Sequence, residues 1–226
     1  MRNNIIKSVN EEKLVVIVRG IERDKLIPLA EAMFLGGVRL LEITYSADGK
    51  VSDEETADRI KMLADHFNGK MFIGAGTVLT EKQVELTAKA GGGFIISPDV
   101  CPEVIKKTRE LGLVSMPGAL TPTEIMTAHK AGADRVELYT GPYAELYPEN
   151  PDKAIEMYRP AALKAKELGL GLNAGHDLNL TNLNAFAQAF PWLDEVSIGQ
   201  ALIADALYLG LKETIKQYKY ALSNSN

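Results

Sequence analysis

Two glutamates lie inside otherwise apolar segments of the chain. Glu42 falls within VRLLEIT and Glu137 falls within RVELYT. A charge inside an apolar strand costs free energy unless it is paired or solvated. Arg19 and His176 follow two other apolar segments and are the natural partners. The pattern predicts a carboxylate acid/base pair with an arginine anchor, whereas outward-pointing glutamates or a structural ion pair are the alternatives.

A small turn that runs directly into a helical pattern predicts an anion site. The segment SIGQALIADAL places Gly199 and Gln200 at that turn. The first N–H groups of a helix lack intrahelical partners and, with the positive end of the helix dipole, attract anions. Gly175 flanks His176 in the turn NAGHD, and we expect it to line the same phosphate or substrate site. The alternative for Gly199 is that it only allows close packing.

Several kinds of chemistry have no matching motif in this sequence. It contains no P-loop lysine motif, no HExxH and no paired CxxC, so we expect no metal and no cofactor. No lysine lies inside an apolar segment or at its carboxyl end. A Schiff base needs a desolvated lysine amine, so the sequence argues against that mechanism.

The elements that must position these residues are eight short apolar segments separated by helical stretches. The segments are LVVIVR, VRLLEIT, MFIGAG, FIISP, LVSMP, RVELYT, LGLNAG and EVSIG. Near-continuous apolar runs are typical of parallel strands covered on both faces. The repeat predicts an α/β fold: one (β/α)8 TIM barrel over residues 1–226. A doubly wound open sheet is the runner-up.

Helix boundaries and one long loop complete the expected barrel. A helix from Asn3 to Glu12 would close the barrel bottom, and Asp24, Thr80 and Thr121 are the expected caps of later helices. The longest irregular stretch runs from residue 140 to 151 and follows the sixth strand. In this fold polar residues at the carboxyl ends of strands converge on one mouth, so this loop is expected to form a lid or a wall of the pocket.

The composition of the chain limits the kinds of binding partner and cellular compartment that we expect. The chain has 226 residues, a net charge of −5 and one cysteine, Cys101. A mildly acidic surface does not favour nucleic acid or anionic membranes, and a lone cysteine suits a reducing cytoplasm. The sequence shows no signal peptide and no membrane-spanning run, so we expect a cytoplasmic protein.

Residues 3–134 resemble the 2-keto-3-deoxy-6-phosphogluconate (KDPG/KHG) aldolase family. The stretches that carry the resemblance are VVIVRG, GGVRLLEITYSADG, IGAGTVLTEKQVELTAKAGG, FIISPD and VSMPGALTPTEIMTAHKAGAD. It implies that Arg19, Glu42 and Thr77 occupy site positions, with Glu42 as the acid/base. The family's Schiff-base lysine lies on strand six, where this chain has Glu137, and an expected arginine is replaced by Ser46.

Residues 135–220 instead resemble pyridoxine 5′-phosphate synthase. The stretches are VELYTGPYAE, ELGLGLNAGHDLNLTNL and LDEVSIGQALIADALYLGLKETI. This resemblance implies that Glu137 and His176 are catalytic, and that Gly199 and the residue after it contact a substrate phosphate. That family has histidine at the position occupied here by Gln200.

The two resemblances predict a hybrid barrel, with an aldolase-like part over residues 1–134 and a synthase-like part over 135–226. A single ancestral barrel that resembles both families is the alternative. The expected function is that of a chimeric or engineered scaffold which keeps a partial phosphate site and has no efficient native catalysis. The alternative is a lyase, aldol-type or condensation enzyme acting on a small phosphorylated metabolite. A small phosphorylated metabolite or inorganic phosphate is the expected partner, and we expect a monomer.

Overall fold

The computed structural model describes residues 2–223, which form eight strands. All eight predicted strands are confirmed. They are β1 Leu14–Val18, β2 Leu40–Thr44, β3 Phe72–Gly76, β4 Phe94–Ser97, β5 Val114–Pro117, β6 Arg135–Tyr139, β7 Gly171–Gly175 and β8 Leu193–Ile198.

Twelve helices surround these strands in the described residues. They are α1 Arg2–Glu12, α2 Arg23–Gly36, α3 Asp53–Phe67, α4 Glu81–Lys89, α5 Pro102–Glu110, α6 Pro122–Ala131, α7 Gly141–Leu146, α8 Pro151–Glu156, α9 Arg159–Glu167, α10 Leu183–Ala189, α11 Gln200–Leu209 and α12 Leu211–Ser223. No helix within residues 2–223 is long and apolar enough to cross a membrane.

The strands form a nearly closed parallel barrel in the order β5-β4-β3-β2-β1-β8-β7-β6. The two end strands, β5 and β6, meet through an isolated bridge between Gly118 and Glu137. Two backbone hydrogen bonds support that closure: the Ala119 amide donates to the Glu137 carbonyl at 2.9 Å and the Asp134 amide donates to the Ser115 carbonyl at 3.1 Å. The fold is therefore the predicted single (β/α)8 TIM barrel.

The barrel interior is apolar on one side. Its core contains inward residues of β1, β2, β4 and β5, with Ile5 and Val9 of α1 packed among them: Val15, Leu40, Phe94, Ile96, Val114 and Met116. Alternate residues of the same strands face outwards into a larger core shared with the surrounding helices. The predicted N-terminal helix thus closes the amino end of the barrel.

The interior is polar on the side formed by β6, β7 and β8. Buried polar side chains occupy alternate positions of these strands: Arg135, Glu137, Asn173, Glu195 and Ser197. The residues between them are apolar and belong to the outer core. The half of the chain that carries the synthase-like motifs therefore builds a polar lining, opposite a lining from the aldolase-like half that is apolar apart from Glu42.

Two expectations about element boundaries are wrong. Asp24 does not cap a helix; α2 has Glu22 at its N-cap position, and Asp24 lies in the first turn, where a carboxylate still complements the helix dipole. The stretch 140–151 is not irregular throughout, because α7 begins at Gly141 and its Pro142 occupies the first turn, where the missing N–H is not needed. Thr80 and Thr121 cap α4 and α6 as predicted.

Candidate active site at the carboxyl ends of the strands

The side chain of Glu42 points into the barrel and covers part of the neighbouring strand, β3. Thr44, two residues further on β2, pairs with Gly76 of β3, and a Cβ placed on Gly76 would fall 1.4 Å from Glu42 Oε1. The Glu42 side chain is buried, and its Oε2 has no hydrogen-bond partner among residues 2–223. The pKa of Glu42 is raised from 4.5 to about 8, first by burial and then by the charge of Glu137, against the opposing charge of Arg19.

Glu137 repeats this arrangement on the opposite side of the barrel. It lies on β6 beside Gly175 of β7, and a Cβ on Gly175 would fall 2.5 Å from Glu137 Oε1. Ser197 Oγ lies 2.8 Å from Glu137 Oε2 and can donate to it. Burial raises the pKa of Glu137 from 4.5 to about 7. Gly175 thus makes room for a carboxylate that the structure brings towards Glu42.

The glycine at position 76 is expected to be essential for the placement of Glu42. Gly76→Ala should destabilise the protein by about 1–3 kcal/mol, because the new methyl group forces the Glu42 carboxylate from its buried position. Urea denaturation measures the change. The control is the double variant Glu42→Ala/Gly76→Ala, in which the clash is removed. If Gly76→Ala costs as much in the Glu42→Ala background as in the unmodified protein, the close approach is refuted.

Arg19 supplies positive charge at the mouth. Its Nε donates to Thr44 Oγ1 at 3.2 Å, and its Nη2 donates to Thr77 Oγ1 at 3.0 Å. Thr77 adopts a φ of 55°, which turns the chain sharply after β3. The guanidinium is exposed and held by two hydroxyl groups, so it can face an anionic ligand while its position stays fixed.

His176 lies in the turn after β7 and is exposed. Its φ of 76° is uncommon for a residue with a side chain, and Thr140 Oγ1 lies 2.6 Å from its carbonyl oxygen. The imidazole packs edge-on against Tyr139, with ring centroids 5.1 Å apart. Partial desolvation and the charge of Arg19 lower the pKa of His176, although Asp177 opposes them. The imidazole is therefore neutral at pH 7 and can accept a proton.

Gly199 and Gln200 begin α11 beside strand β1. A Cβ on Gly199 would lie 3.1 Å from the Cβ of Ile17 and 3.3 Å from its carbonyl oxygen, so Gly199 packs closely as well as opening the helix. No side chain caps this end among the described residues, and the first amide bonded back to the turn is that of Ile203. The N–H groups before it are available to an anion.

Four buried polar residues below the mouth are not among the predicted site residues. Arg135 Nε donates to Asn173 Oδ1 at 2.8 Å, and Asn173 Nδ2 donates to Glu195 Oε2. Ser197 contacts both Glu137 and Glu195. Their positions alternate with apolar residues along β6 to β8, and this period of two could have identified them as lining the barrel.

The arrangement offers two buried acids, a neutral imidazole and one exposed cation at one mouth. Across residues 2–223, no group of His, Cys, Asp and Glu side chains has the arrangement of a metal site. The acids and the imidazole can exchange protons, and the cation can bind an anion.

The fold and this mouth define the chain as a (β/α)8 barrel with two buried acids and an exposed arginine at the carboxyl ends of its strands. Residues 60–224 match the sequence profile of the family described as pyridoxal phosphate biosynthesis protein PdxJ. The chain belongs to this family, because the match covers well over half of its length. The match begins upstream of Arg135, where the resemblance by motif changes.

Curated relatives carry the name pyridoxine 5′-phosphate synthase. The protein from Bacteroides thetaiotaomicron is 48% identical over 147 residues, which cover 65% of this chain and 62% of that protein. The protein from Parabacteroides distasonis is 62% identical over 100 residues, 44% of this chain and 42% of its own length. The chain thus matches less than two thirds of these relatives.

Solved structures point to the other family. The 4-hydroxy-2-oxoglutarate aldolase/2-deydro-3-deoxyphosphogluconate aldolase from TTHB1 superposes with a TM-score of 0.72 at 25% identity, covering 96% of this chain and 98% of that chain. The hybrid resemblance expected from the motifs is therefore confirmed: sequence relatives come from one barrel family and a near full-length structural match from the other.

Proposed function

We propose that the protein binds a small phosphorylated metabolite, or inorganic phosphate, at the carboxyl-end mouth of the barrel. The observation that carries this proposal is that a cation and a free helix start lie at the same end of the barrel. Val16 of β1 pairs with Ile198 of β8, so Arg19 and Gly199 emerge from neighbouring strands at the same end. An exposed guanidinium and unbonded amides at the same end of the barrel together suit an anion such as phosphate.

Phosphate should stabilise the folded protein through this site. At a phosphate concentration of about ten times Kd, the free energy of unfolding should increase by about 1.4 kcal/mol, because the ligand binds only the folded state. Thermal unfolding at matched ionic strength, with chloride in place of phosphate, measures this effect. Arg19→Gln should abolish most of the stabilisation.

The matched control is Lys7→Gln. Lys7 is an exposed cation on α1, at the opposite end of the barrel, so this variant lowers the net charge equally without touching the mouth. It should retain the full response to phosphate. Equal losses in both variants would indicate a general charge effect, and an unresponsive parent protein would refute the site.

The same proposal includes a hybrid origin without efficient turnover of either parent reaction. The support is the division of resemblance between two families and the composition of the mouth. Strand six carries Glu137 where the aldolase family has its lysine, and Gln200 stands where the synthase family has histidine. Catalytic groups act as units, so an incomplete set loses most of its effect.

Two assays test the absence of turnover. The protein should neither cleave 2-keto-3-deoxy-6-phosphogluconate nor form pyridoxine 5′-phosphate at a rate above the uncatalysed reaction. Sodium borohydride added with pyruvate should leave no covalent adduct, because no lysine lies within the described strands. Turnover of either substrate would overturn this part of the proposal without affecting phosphate binding.

The second candidate is an aldol-type or condensation enzyme, and one observation favours it. Glu42 and Glu137 have pKa values raised to about 8 and about 7, near the pH at which an acid/base pair works best. With neutral His176 above them, they can donate and accept protons at a carbonyl group. A phosphorylated carbonyl compound is the class of substrate that this arrangement suits.

A further inference from the structure

Ser197 lies between two buried carboxylates. Its Oγ is 2.8 Å from Glu137 Oε2 and 3.1 Å from Glu195 Oε1. Ser197 and Glu195 are fully buried, and Glu137 is only 6% exposed towards the mouth. The three side chains form a continuous hydrogen-bonded path from the mouth to the barrel interior.

Glu195 is held in place by further contacts on its own side. The amide of Val15 on β1 donates to its Oε1 at 3.2 Å, and Asn173 Nδ2 donates to its Oε2. Asn173 is oriented in turn by Arg135, whose Nε donates to its Oδ1. Glu195 therefore has a fixed position, and none of these contacts reaches the mouth.

The number of protons in this path is set by its geometry. A serine hydroxyl donates one hydrogen bond and can accept others. If both glutamates were ionised, Ser197 could donate to only one, and the other would face a lone pair across a dry interior. One bound proton completes the path, because the protonated carboxyl donates to Ser197 while Ser197 donates to the ionised carboxylate.

The surrounding charges favour retaining that proton. Burial and the charge of Glu137 raise the pKa of Glu195 well above its usual range, against the opposing charge of Arg135. Arg135 is shared with Asp194, 2.6 Å away, so it does not neutralise two further carboxylates. Six other charged or titratable groups surround the path. They are Glu42, Arg135, Asp134, Asp194, Arg19 and His176.

We propose that Glu137 and Glu195 share one proton through Ser197, so that Glu195 acts as a positioning residue that sets the protonation of Glu137. In the transfer, the O–H bond of Glu195 breaks as a new O–H bond forms on Ser197. The original O–H bond of Ser197 breaks as one forms on Glu137. One proton reaches the mouth, one negative charge moves from Glu137 to Glu195, and Ser197 is unchanged.

This sharing gives the mouth an internal source of protons. After Glu137 donates to a ligand, Glu195 can reprotonate it without water entering the barrel. The consequence for a ligand rests on the acid/base role proposed for Glu137. The proton sharing itself is a property of the ligand-free protein and is tested without phosphate or substrate, so its failure is distinguishable from failure of the proposed function.

The test is a carbon-13 NMR titration of the side-chain carboxyls in protein labelled at glutamate. In the unmodified protein, Glu137 and Glu195 should each titrate in two steps with common midpoints, separated by more than about one pH unit, as interacting sites do. A single step at Glu137, with no matching change at Glu195, would overturn the proposal. This comparison needs no variant to fold.

Variants then identify the path. Glu195→Gln should reduce the Glu137 curve to one step of full amplitude. Ser197→Ala should leave one main step at Glu137 with a raised midpoint, because the ionised form loses its donor. The control is Glu156→Gln, an exposed glutamate paired with Arg159, which should leave both steps unchanged. An unaltered two-step curve in Glu195→Gln would assign the coupling to another group and refute this path.

Discussion

The free energy of unfolding is expected to fall as the pH rises from about 5 to about 8, with a loss on the order of 4 kcal/mol attributable to Glu42 alone. Most proteins gain stability as the pH rises through the lower part of this range, because paired carboxylates ionise more readily when folded. This barrel buries acids whose charged form is disfavoured. Its stability should therefore be greatest in mild acid.

The sign follows from the direction of the pKa shifts. Burial raises the pKa of Glu42 from 4.5 to about 8 and that of Glu137 from 4.5 to about 7. Between these limits the folded protein holds protons that the unfolded chain has released, so increasing pH favours unfolding. His176 has the opposite effect on stability, because its pKa is lowered on folding. This effect is confined to pH values below the ordinary pKa of histidine.

Urea denaturation at several pH values measures this slope. Glu42→Gln should flatten it by about 1 kcal/mol per pH unit, because one retained proton contributes that amount. The control is Glu54→Gln: a hydrogen bond from Lys82 lowers the pKa of Glu54, so that it is ionised throughout the range. A slope unchanged in Glu42→Gln would show that Glu42 is ionised in the folded protein.

The strands could be predicted because each is a short apolar run with outer-face residues packed under helices. Thr80 and Thr121 were recognisable caps, since each precedes its helix directly. The prediction for Asp24 was wrong because a cap is defined by backbone conformation, and the N-cap of α2 lies two residues earlier, at Glu22. In the sequence, a polar residue near the start of a helix is compatible both with the N-cap position and with the first turn.

The polar residues of the mouth were predictable because they lie inside apolar strands or directly after them. Among the lower residues, Arg135 and Glu195 were overlooked because they stand at the starts of their motifs and look like strand boundaries, although the period of two marks them as lining the barrel. Their inward direction depends on register: Arg135 pairs with Gly171, and a Cβ there would meet the guanidinium at 2.5 Å. Such a contact between distant segments has no counterpart in local sequence.

Asp134 is expected to be the side chain on which closure of the barrel most depends. Its Oδ2 accepts from the Ser115 amide at 2.9 Å, and both oxygens accept from Arg109 at 3.0 Å. Arg2 of α1 also contacts Oδ1. The residue precedes β6, which joins β5 through an isolated bridge. One buried carboxylate therefore connects α1, α5 and β5 to the start of β6.

Asp134→Asn should destabilise the protein by about 3 kcal/mol, because the amide presents donors to groups that are themselves donors. Urea denaturation followed by Trp192 fluorescence measures the loss. Hydrogen exchange at the Ala119 amide, which bonds to the Glu137 carbonyl, should accelerate more than exchange within β2. The last effect separates opening between β5 and β6 from uniform destabilisation.

The matched control is Asp65→Asn, which removes the same charge from an exposed pair with Lys61 and should cost less than about 1 kcal/mol. If both variants cost the same, Asp134 would be an ordinary surface acid. The expected difference has a structural reason: the resemblance by motif changes between Asp134 and Arg135, where β5 and β6 share few backbone hydrogen bonds. Side-chain contacts from Asp134 must supply what the strand ladder does not.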